Sequence, residues 1–469
     1  MYEKFVKGVI MNNIVKKNEK YVVEILDNGF EGEGITKIDG FTVFVQGAIK
    51  GEKVEILVLK VLTSYAFAKI IKVIEKSPYR IDVDCNTYKR CGGCNLRHID
   101  YKYTLEIKRN AVQSLVSKTL KNDVKVLDTL GMRDPYFYRN KVQYPVGFDK
   151  DGKPCFGIFA NRTHDIVQID KCYIQSEKSQ EIAKYVFQLW IENDLSIYNE
   201  KTRKGLLRHI VIKNGFKTGE FMCVLVINGT DFDNKAKIIN SIINKFSMIK
   251  TIVLNINTDN TNVIMGKNNV ILYGDGIIED ILGDYRFKIS PLSFYQVNPI
   301  QAEKLYNIAV DYANISKEDI VFDLYCGIGT ISLFMSKFAK KIYGIEIVEE
   351  AVKAAKENAE LNDVRNADFI AGDVELVLDN LINNKGIIPN VVMVDPPRKG
   401  LDNNSIQNLL KVKANKIIYI SCNPATLVRD LAKLEDAYDI VNIKPVDMFP
   451  YTSHVEVCAL LELKNCQTS

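Results

Sequence analysis

Phe322-Asp323-Leu324-Tyr325-Cys326-Gly327-Ile328-Gly329-Thr330 decides the fold of the second half of the chain. An apolar run, which predicts a buried strand, leads directly into a glycine turn and then into a helical pattern. From Asp319 onward, helices such as Val348 to Asn362 alternate with four predicted strands, at residues 320–324, 341–345, 391–394 and 416–420. This alternation predicts a doubly wound parallel sheet.

Acidic residues follow the next two predicted strands. Glu346 ends the strand after the glycine turn, and Asp373, in Ala371-Gly372-Asp373, ends the third strand. Glycines let a ligand approach the backbone, and a carboxylate at the second strand end can accept hydrogen bonds from both ribose hydroxyls. Asp373 is placed to meet an adenine edge. Two glycines also occur in ordinary strand–helix turns, but the two acidic residues favour a nucleotide-type pocket, and the missing third glycine argues against a dinucleotide.

Two later segments add reactive groups to this pocket. Val394-Asp395-Pro396-Pro397-Arg398 follows one predicted strand, and Ile420-Ser421-Cys422-Asn423-Pro424 follows another. A nucleotide-type pocket, an Asp-Pro-Pro turn and a strand-end cysteine suggest that a methyl donor is bound and that Cys422 activates the acceptor. Enzymes that methylate amino groups carry an aromatic residue where this chain has Arg398, which counts against amine methylation. Without the Asp-Pro-Pro turn, Cys422 would be interpreted as a small buried residue.

Carbon 5 of uracil is an acceptor that requires such a cysteine. It is a poor nucleophile until a thiolate adds to carbon 6 and forms an enolate, and a base must afterwards remove the carbon 5 proton. Glu456 in His454-Val455-Glu456-Val457 is the candidate base, because a carboxylate in an apolar strand is costly unless it has a function. The alternative is a residue on a solvent-facing edge.

Four cysteines in the first half form a candidate metal site. Cys85, Cys91 and Cys94 have the spacing C-x5-C-x2-C, with Gly92-Gly93 allowing a tight backbone, and Cys172 is the candidate fourth ligand. Cys155 is nearby and competes with Cys172 on spacing alone. Four thiolates suit either zinc or an iron–sulfur cluster, and the spacing leaves both open. Three unrelated buried cysteines within ten residues are improbable.

Composition sets broad limits. A chain of 469 residues predicts two or three domains, and a net charge of +4 permits nucleic-acid binding without arguing for it. Short alternating segments between about Tyr21 and Val73 predict a small all-β barrel. No apolar run reaches the length of a membrane span, and Met1–Lys4 lack the apolar start of a signal peptide. A cytoplasmic protein with no obligate protein partner is expected, and its cysteines should stay reduced or bind metal.

Together these residues resemble the RumA/TrmA-type 23S rRNA (uracil-5-)-methyltransferases, over nearly the whole chain. The resemblance implies an N-terminal OB-like barrel (a TRAM domain) at 14–74, a central α+β iron–sulfur domain at 75–286 and a C-terminal Rossmann-like α/β methyltransferase domain at 287–466. It implies a 4Fe-4S cluster on Cys85, Cys91, Cys94 and Cys172. The segment Ser290–Asn298 matches the family's donor-contacting motif, so the S-adenosylmethionine (SAM) site comprises Gln296, Tyr325, Thr330, Glu346, Asp373 and Asp395.

By the same resemblance, Cys422 is the nucleophile and Glu456 the base, and the partner is RNA. The cluster points to 23S rRNA, because members that modify tRNA lack it. The reaction would flip a uridine out of folded RNA, since stacking shields carbon 5. Four alternatives remain: methylation of another RNA such as tRNA, a non-catalytic RNA-binding ribosome-assembly factor, an iron–sulfur redox enzyme, and cytosine carbon 5 methylation. The intact pair Cys422 and Glu456 argues against the assembly factor, and the absence of flavin motifs argues against the redox enzyme.

Overall fold

The computed structural model describes residues 15–161 and 163–464, which divide into two compact units. One unit comprises residues 15–84, 95–111 and 451–453, and the other comprises the remainder. The expectation about Met1–Lys4 and the outer domain limits at residues 14 and 466 fall outside the described residues. None of the helices that the structure describes has the length and apolarity needed to cross a membrane.

The first unit contains a six-stranded sheet, in the order β1-β5-β6-β4-β3-β2. Its strands are β1 (Lys20–Glu24), β2 (Asp27–Asn28), β3 (Gly34–Ile38), β4 (Phe41–Gln46), β5 (Lys53–Val61) and β6 (Tyr65–Glu75). Thr36 Oγ1 donates to Glu24 O at 2.7 Å and so links β3 to the end of β1. Alternate apolar residues such as Val43 and Val45 fill its interior. The strands predicted from this alternation are therefore confirmed.

A second six-stranded sheet occupies the middle of the chain, in the order β14-β13-β12-β11-β7-β8. Its neighbours are antiparallel except β12 and β13, and Trp190 of α2 is fully buried among the apolar residues of one face. The elements are α1 (Tyr101–Thr119), β7 (Lys141–Phe148), β8 (Pro154–Phe156), β9 (Ile158–Phe159), β10 (Ile166–Val167), α2 (Glu177–Glu192), β11 (Leu207–Asn214), β12 (Phe221–Ile227), α3 (Lys235–Lys245), β13 (Ile249–Ile256) and β14 (Asn268–Tyr273).

The last part of the chain is a seven-stranded sheet, in the order β19-β18-β17-β20-β21-β23-β22, preceded by a β15–β16 hairpin. The elements are β15 (Ile278–Leu282), β16 (Tyr285–Ile289), α4 (Pro299–Ala313), β17 (Ile320–Leu324), α5 (Thr330–Ser336), β18 (Lys341–Glu346), α6 (Glu349–Leu361), β19 (Ala367–Ala371), α7 (Val374–Asp379) with a π-helical turn at Asn380–Asn384, β20 (Val391–Val394), α8 (Asn403–Val412), β21 (Lys416–Ser421), α9 (Pro424–Leu434), β22 (Tyr438–Val446) and β23 (Glu456–Leu463).

The predicted doubly wound parallel sheet is confirmed. Strands β17 to β21 run parallel, and β23 enters antiparallel between β21 and β22. The carboxyl ends of the five parallel strands therefore share one edge, which is where open α/β sheets bind ligands. Because β23 is antiparallel to β21, its first residues lie at this same edge.

Candidate active site

The glycine turn after β17 leaves open space beside its backbone. Gly327 has a φ of 55°, and nothing beyond its chain neighbours lies within 4 Å of the point that a Cβ would occupy. Gly329 has a φ of 81° and begins α5. Tyr325 has a φ of 67°, a conformation that costs energy for a residue with a side chain and often marks a functional site. The turn is therefore shaped to admit a ligand against the main chain.

Glu346 fixes this turn from the end of β18. Its Oε2 accepts a hydrogen bond from Gly327 N at 3.2 Å, and its Oε1 accepts one from Val348 N at 3.0 Å. Each carboxylate oxygen has a second lone pair, so the group can still accept the hydroxyls of a ribose. The half-buried carboxylate thus lies where the sequence predicts a ribose ligand.

Asp373 and Tyr325 continue the same edge. Asp373 lies two residues beyond β19 and begins α7, and its Oδ1 accepts a hydrogen bond from Glu375 N at 2.9 Å. Burial is the main cause that raises the pKa of Tyr325, and the charge of Asp373 contributes, which places these two residues near each other. The Tyr325 hydroxyl is 3.3 Å from Ser405 Oγ. Asp373 is exposed, so an adenine ring would contact it at the open end of the site.

Two carboxylates lie deeper in the site. Asp323 is 1% exposed, its Oδ2 accepts a hydrogen bond from Ser332 Oγ, and its buried Oδ1 has no partner. Burial, with the charge of Glu346, raises the pKa of Asp323 to about 7. Burial and the charge of Asp323 raise the pKa of Asp395 to about 7. Asp323 is buried and Asp395 is half-buried, and neither forms an ion pair among the described residues. Such carboxylates favour a cationic ligand, and SAM, with its sulfonium and ammonium groups, fits this requirement.

Cys422 and Glu456 are brought together by strand register. In the antiparallel ladder of β21 and β23, Ile420 faces Cys458 and Ser421 faces Val457. Cys422 and Glu456 are the next residues beyond this last pair, and the charge of Glu456 acts on the Cys422 thiol, so the two side chains lie near each other. Directly opposed residues share a face of the sheet and lie about 5 Å apart at their Cβ atoms. Cys422, which follows β21, and Glu456, the first residue of β23, therefore lie at the same position along this edge of the sheet.

The burial of Glu456 excludes the solvent-facing alternative. Its side chain is 4% exposed, and its strand lies between two others. Burial and the charge of Asp395 raise the pKa of Glu456 to about 8, whereas Arg398 lowers it. Burial and the charge of Glu456 raise the pKa of the half-buried Cys422 to about 11, and Arg398 again lowers it. Arg398 therefore favours the charged form of both groups.

Hydrogen bonds join the turn that carries Cys422 to the turn that carries Arg398. Asn423 Nδ2 donates to Arg398 O at 3.1 Å, and Thr426 Oγ1 donates to the same oxygen at 3.3 Å. Ser421 Oγ accepts from Asn423 N at 3.1 Å. These bonds fix the position of the turn at Cys422 relative to the turn at Arg398.

Tyr306 is a site residue that sequence reasoning missed. It lies on α4, is 2% exposed, and accepts a hydrogen bond from Thr330 Oγ1 at 3.4 Å. Burial raises its pKa most, the charges of Asp395 and Glu456 contribute, and hydrogen bonds with Thr330 and Gln296 lower it. The buried Tyr306 hydroxyl therefore bonds two residues that are predicted to bind the donor, Thr330 and Gln296. It also lies near Asp395 and Glu456. Tyr306 belongs to the apolar face of α4, and a tyrosine in such a pattern gives no sequence signal for this role.

The four predicted metal-binding cysteines lie in one region of the second unit. Burial raises the pKa of Cys91, and so does the charge of Cys85. Burial raises the pKa of Cys172, to which Cys91 and Cys85 contribute, whereas backbone N–H groups of the two residues Ile174 and Gln175 bond its sulfur and lower it. Burial raises the pKa of Tyr138 most, with contributions from Cys94 and Cys172.

The backbone closely surrounds one of these sulfurs and the glycine beside it. Gly93 N donates to Cys91 Sγ at 3.3 Å, and a Cβ on Gly92 would lie 3.2 Å from Phe159 O, so that only glycine fits without displacement. Yet within residues 15–161 and 163–464, no group of three or more His, Cys, Asp or Glu side chains is arranged to hold a metal ion. The iron–sulfur part of the expected central domain is therefore not shown.

The fold and this edge define a SAM-dependent methyltransferase. Comparison with known proteins gives the family. Residues 100–464 match the model of the tRNA (uracil-5-)-methyltransferase family, and residues 15–71 match the TRAM domain. The chain therefore belongs to the tRNA (uracil-5-)-methyltransferase family, with an N-terminal TRAM domain. It is a SAM-dependent RNA (uracil-5-)-methyltransferase, as the sequence predicted.

Relatives match over nearly their whole length. An uncharacterized RNA methyltransferase of Clostridium acetobutylicum is 47% identical over 96% of this chain and 98% of its own. One of Staphylococcus aureus is 42% identical over 96% and 99%. Among solved structures, the Pyrococcus abyssi tRNA (uracil-54, C5)-methyltransferase in complex with S-adenosyl-L-homocysteine has a TM-score of 0.73 at 25% identity, covering 94% of this chain and 100% of that one. RNA is thus the substrate class.

We expect Glu346→Ala to weaken SAM binding. The change removes a ribose acceptor and also releases Gly327 N, so the loss should be roughly 1–3 kcal/mol. Titration calorimetry with SAM measures it. Glu350→Ala, a change at an exposed glutamate in the first turn of α6, is the matched control and should bind SAM as the wild type does. Equal affinity of both variants would show that Glu346 does not bind the ribose.

Proposed function

We propose that this protein methylates carbon 5 of a specific uridine in 23S rRNA, through a covalent bond between Cys422 and carbon 6 of the base. The observation that carries the proposal is the pairing of a strand-end thiol with a buried carboxylate at the ligand-binding edge of the sheet. A uracil ring between Cys422 and Glu456 would have its carbon 6 and carbon 5, which are neighbouring atoms, within reach of one group each.

Each residue has one task in this reaction. The Cys422 thiolate adds to carbon 6, and carbon 5 becomes nucleophilic. Bound SAM supplies an electrophilic methyl group. The Glu456 carboxylate then takes the carbon 5 proton, the bond between sulfur and carbon 6 breaks, and the thiolate returns. Arg398 supports both groups, since it lowers the pKa of Cys422 and of Glu456 towards the charged forms that these steps need.

Six residues are proposed to hold the donor. They share the edge formed by the carboxyl ends of the parallel strands, or contact Tyr306 beside it, and they are Gln296, Tyr325, Thr330, Glu346, Asp373 and Asp395. Glu346 would bind the ribose and Asp373 the adenine edge, while Asp395 lies nearest the reacting groups because its charge acts on both Cys422 and Glu456. Gln296 and Thr330 would be oriented through the Tyr306 hydroxyl.

The choice of 23S rRNA rests on the four cysteines, by resemblance to the family members that carry a cluster. The Pyrococcus abyssi relative is a tRNA (uracil-54, C5)-methyltransferase, so tRNA is the alternative substrate. We also propose a division of labour: residues 14–74 dock RNA, 75–286 form a central domain around the cluster, and 287–466 hold SAM and perform the chemistry in the cytoplasm. A non-catalytic assembly factor has no use for a buried carboxylate opposite a cysteine, because that arrangement costs stability.

We propose that Cys85, Cys91, Cys94 and Cys172 hold a 4Fe-4S cluster. Hydrogen bonds from backbone N–H groups to Cys91 Sγ and Cys172 Sγ support ligation as thiolates. When bound, the cluster would hold the surrounding loops together. Methyl transfer from SAM is redox-neutral and requires no electron from it.

The cluster proposal predicts that Cys172→Ser loses iron when the protein is purified without oxygen, whereas the wild type retains four irons per chain. Iron and sulfide analysis and the visible absorption spectrum measure this. Cys155→Ser is the matched control, because Cys155 is a buried cysteine of β8 that competes with Cys172 on sequence spacing. Wild-type protein that carries zinc, or iron loss in Cys155→Ser alone, would contradict the assignment.

The mechanism predicts different failures for its two groups. Cys422→Ala should abolish turnover, because no enolate forms, and should still bind SAM and RNA. Glu456→Gln should still transfer the methyl group, but the carbon 5 proton then stays, and a covalent protein–RNA adduct should accumulate as a slow band on a denaturing gel. The double variant is the control and should form no adduct. Turnover by Cys422→Ala, or an adduct in the double variant, would refute the covalent route.

A further inference from the structure

Three aromatic side chains form a cluster on the six-stranded sheet of the first unit. Phe44 of β4 and Phe67 of β6 are direct partners in the ladder of these two parallel strands, and Tyr65 lies two residues before Phe67. The ring centroids are 5.9 Å apart for Phe44 and Phe67, and the Tyr65 centroid lies 5.5 Å and 5.4 Å from these two. Residues two apart on a strand share a face, so the three rings belong to one surface.

This surface is the outer one of the sheet. Val43 and Val45 of β4, with Ala66 and Ala68 of β6, alternate with the aromatic residues, are at most 2% exposed and belong to the apolar core of the unit. The three rings are half-buried and pack against one another instead of against that core. Apolar surface that a folded unit leaves outside its core is typical of an interaction site.

Three exposed lysines surround the rings on the same face. Lys60 of β5 is the direct partner of Phe67 in the ladder of β5 and β6. Lys69 lies two residues beyond Phe67 on β6. Lys37 of β3 is separated from Tyr65 by a single residue of the strand between them. The register of four neighbouring strands therefore places the positive charges around the aromatic cluster.

These positive charges are not neutralised by the protein. In the part of the chain that the structure describes, none of the three lysines forms an ion pair, whereas Lys20 and Lys53 of the same sheet are paired with Glu55 and Glu75. A partner that was only apolar would cover the rings and leave the lysines without a counter-charge. Single-stranded nucleic acid matches both features, because its bases stack on aromatic rings and its phosphates attract lysines.

We propose that this outer surface stacks unpaired bases of the RNA substrate on its rings and contacts their phosphates with its lysines. We call it the aromatic face, and its residues are Lys37, Phe44, Lys60, Tyr65, Phe67 and Lys69. The inference rests on the proposed function, since the RNA is the one that carries the reacting uridine, and it specifies which surface of residues 14–74 docks and which form of RNA. Within a duplex the base faces are covered by their neighbours, so the aromatic face selects unpaired nucleotides.

The test compares unpaired with paired RNA. Full-length protein is titrated into a fluorescein-labelled oligouridylate of about 12 nucleotides, and separately into an oligoadenylate–oligouridylate duplex of the same length, with fluorescence anisotropy as the readout. Phe67→Leu keeps an apolar side chain but removes the ring, so it should bind the single strand roughly tenfold more weakly and the duplex as the wild type does. Phe67→Tyr keeps the ring and should retain most of the affinity.

Val22→Ala is the matched control for the ring. Val22 is an apolar residue of the edge strand β1 in the same sheet, is 58% exposed and lies outside the aromatic face, so its loss should not change binding of the single strand. Circular dichroism checks that each variant is folded. Equal affinities of Phe67→Leu and Val22→Ala for the single strand would overturn the aromatic face as an RNA site. Equal weakening of single strand and duplex by Phe67→Leu would overturn stacking.

The lysines are tested by the salt dependence of binding to the single strand. Lys60→Gln should make the slope of log K against log salt shallower by about 0.7, the value of one phosphate contact. Phe67→Leu should keep the full slope, because it removes no charge. Lys53→Gln, whose charge is already paired with Glu75, is the control and should keep the slope too. An unchanged slope in Lys60→Gln would overturn the role of the lysines, and this exposed change tests the aromatic face even if Phe67→Leu fails to fold.

Failure of the aromatic face is distinguishable from failure of the proposed function. If only the aromatic face is wrong, the wild type still methylates 23S rRNA, and the variants of Phe67 and Lys60 bind the single strand as their controls do. If the proposed function is wrong, the wild type transfers no methyl group to that RNA, whatever these variants do to binding of the oligonucleotide.

Discussion

The burial of carboxylates at one edge of the parallel sheet is the constraint on which the site depends. Asp323, Asp395 and Glu456 converge there from three different strands, and burial raises the pKa of each, to about 7, 7 and 8. Such a concentration of acidic groups costs stability in the free protein. In the proposed site a cationic methyl donor would offset that cost, so these groups would favour the donor over uncharged nucleosides.

The position of the reacting pair follows from one topological choice. Strand β23 enters the parallel sheet in the antiparallel sense, and this brings its first residue, Glu456, to the edge where β21 ends in Cys422. A parallel strand in that place would have presented its last residue instead. The proposed nucleophile and the proposed base are thus 34 positions apart in sequence, from 422 to 456, and become neighbours because of strand direction.

Site residues that lie at the ends of strands could be predicted from the sequence. Glu346 and Cys422 follow apolar runs directly, so their places could be predicted, and alternation of strands and helices predicted the sheet. Asp373 shows a small departure, because it lies two residues beyond its strand and caps α7. Tyr306 could not be found, since the packing of a helix brings it into place and leaves no local pattern.

Mapping 5-methyluridine in the RNA of a strain that lacks the gene tests the central claim most directly. The strain is complemented with wild-type protein or with Cys422→Ala, and both 23S rRNA and tRNA are analysed by mass spectrometry. The account predicts that one or more 23S uridines lose the methyl group, that the wild type restores it and that Cys422→Ala does not. Unchanged 23S rRNA with loss in tRNA would contradict the substrate, and restoration by Cys422→Ala would contradict the mechanism.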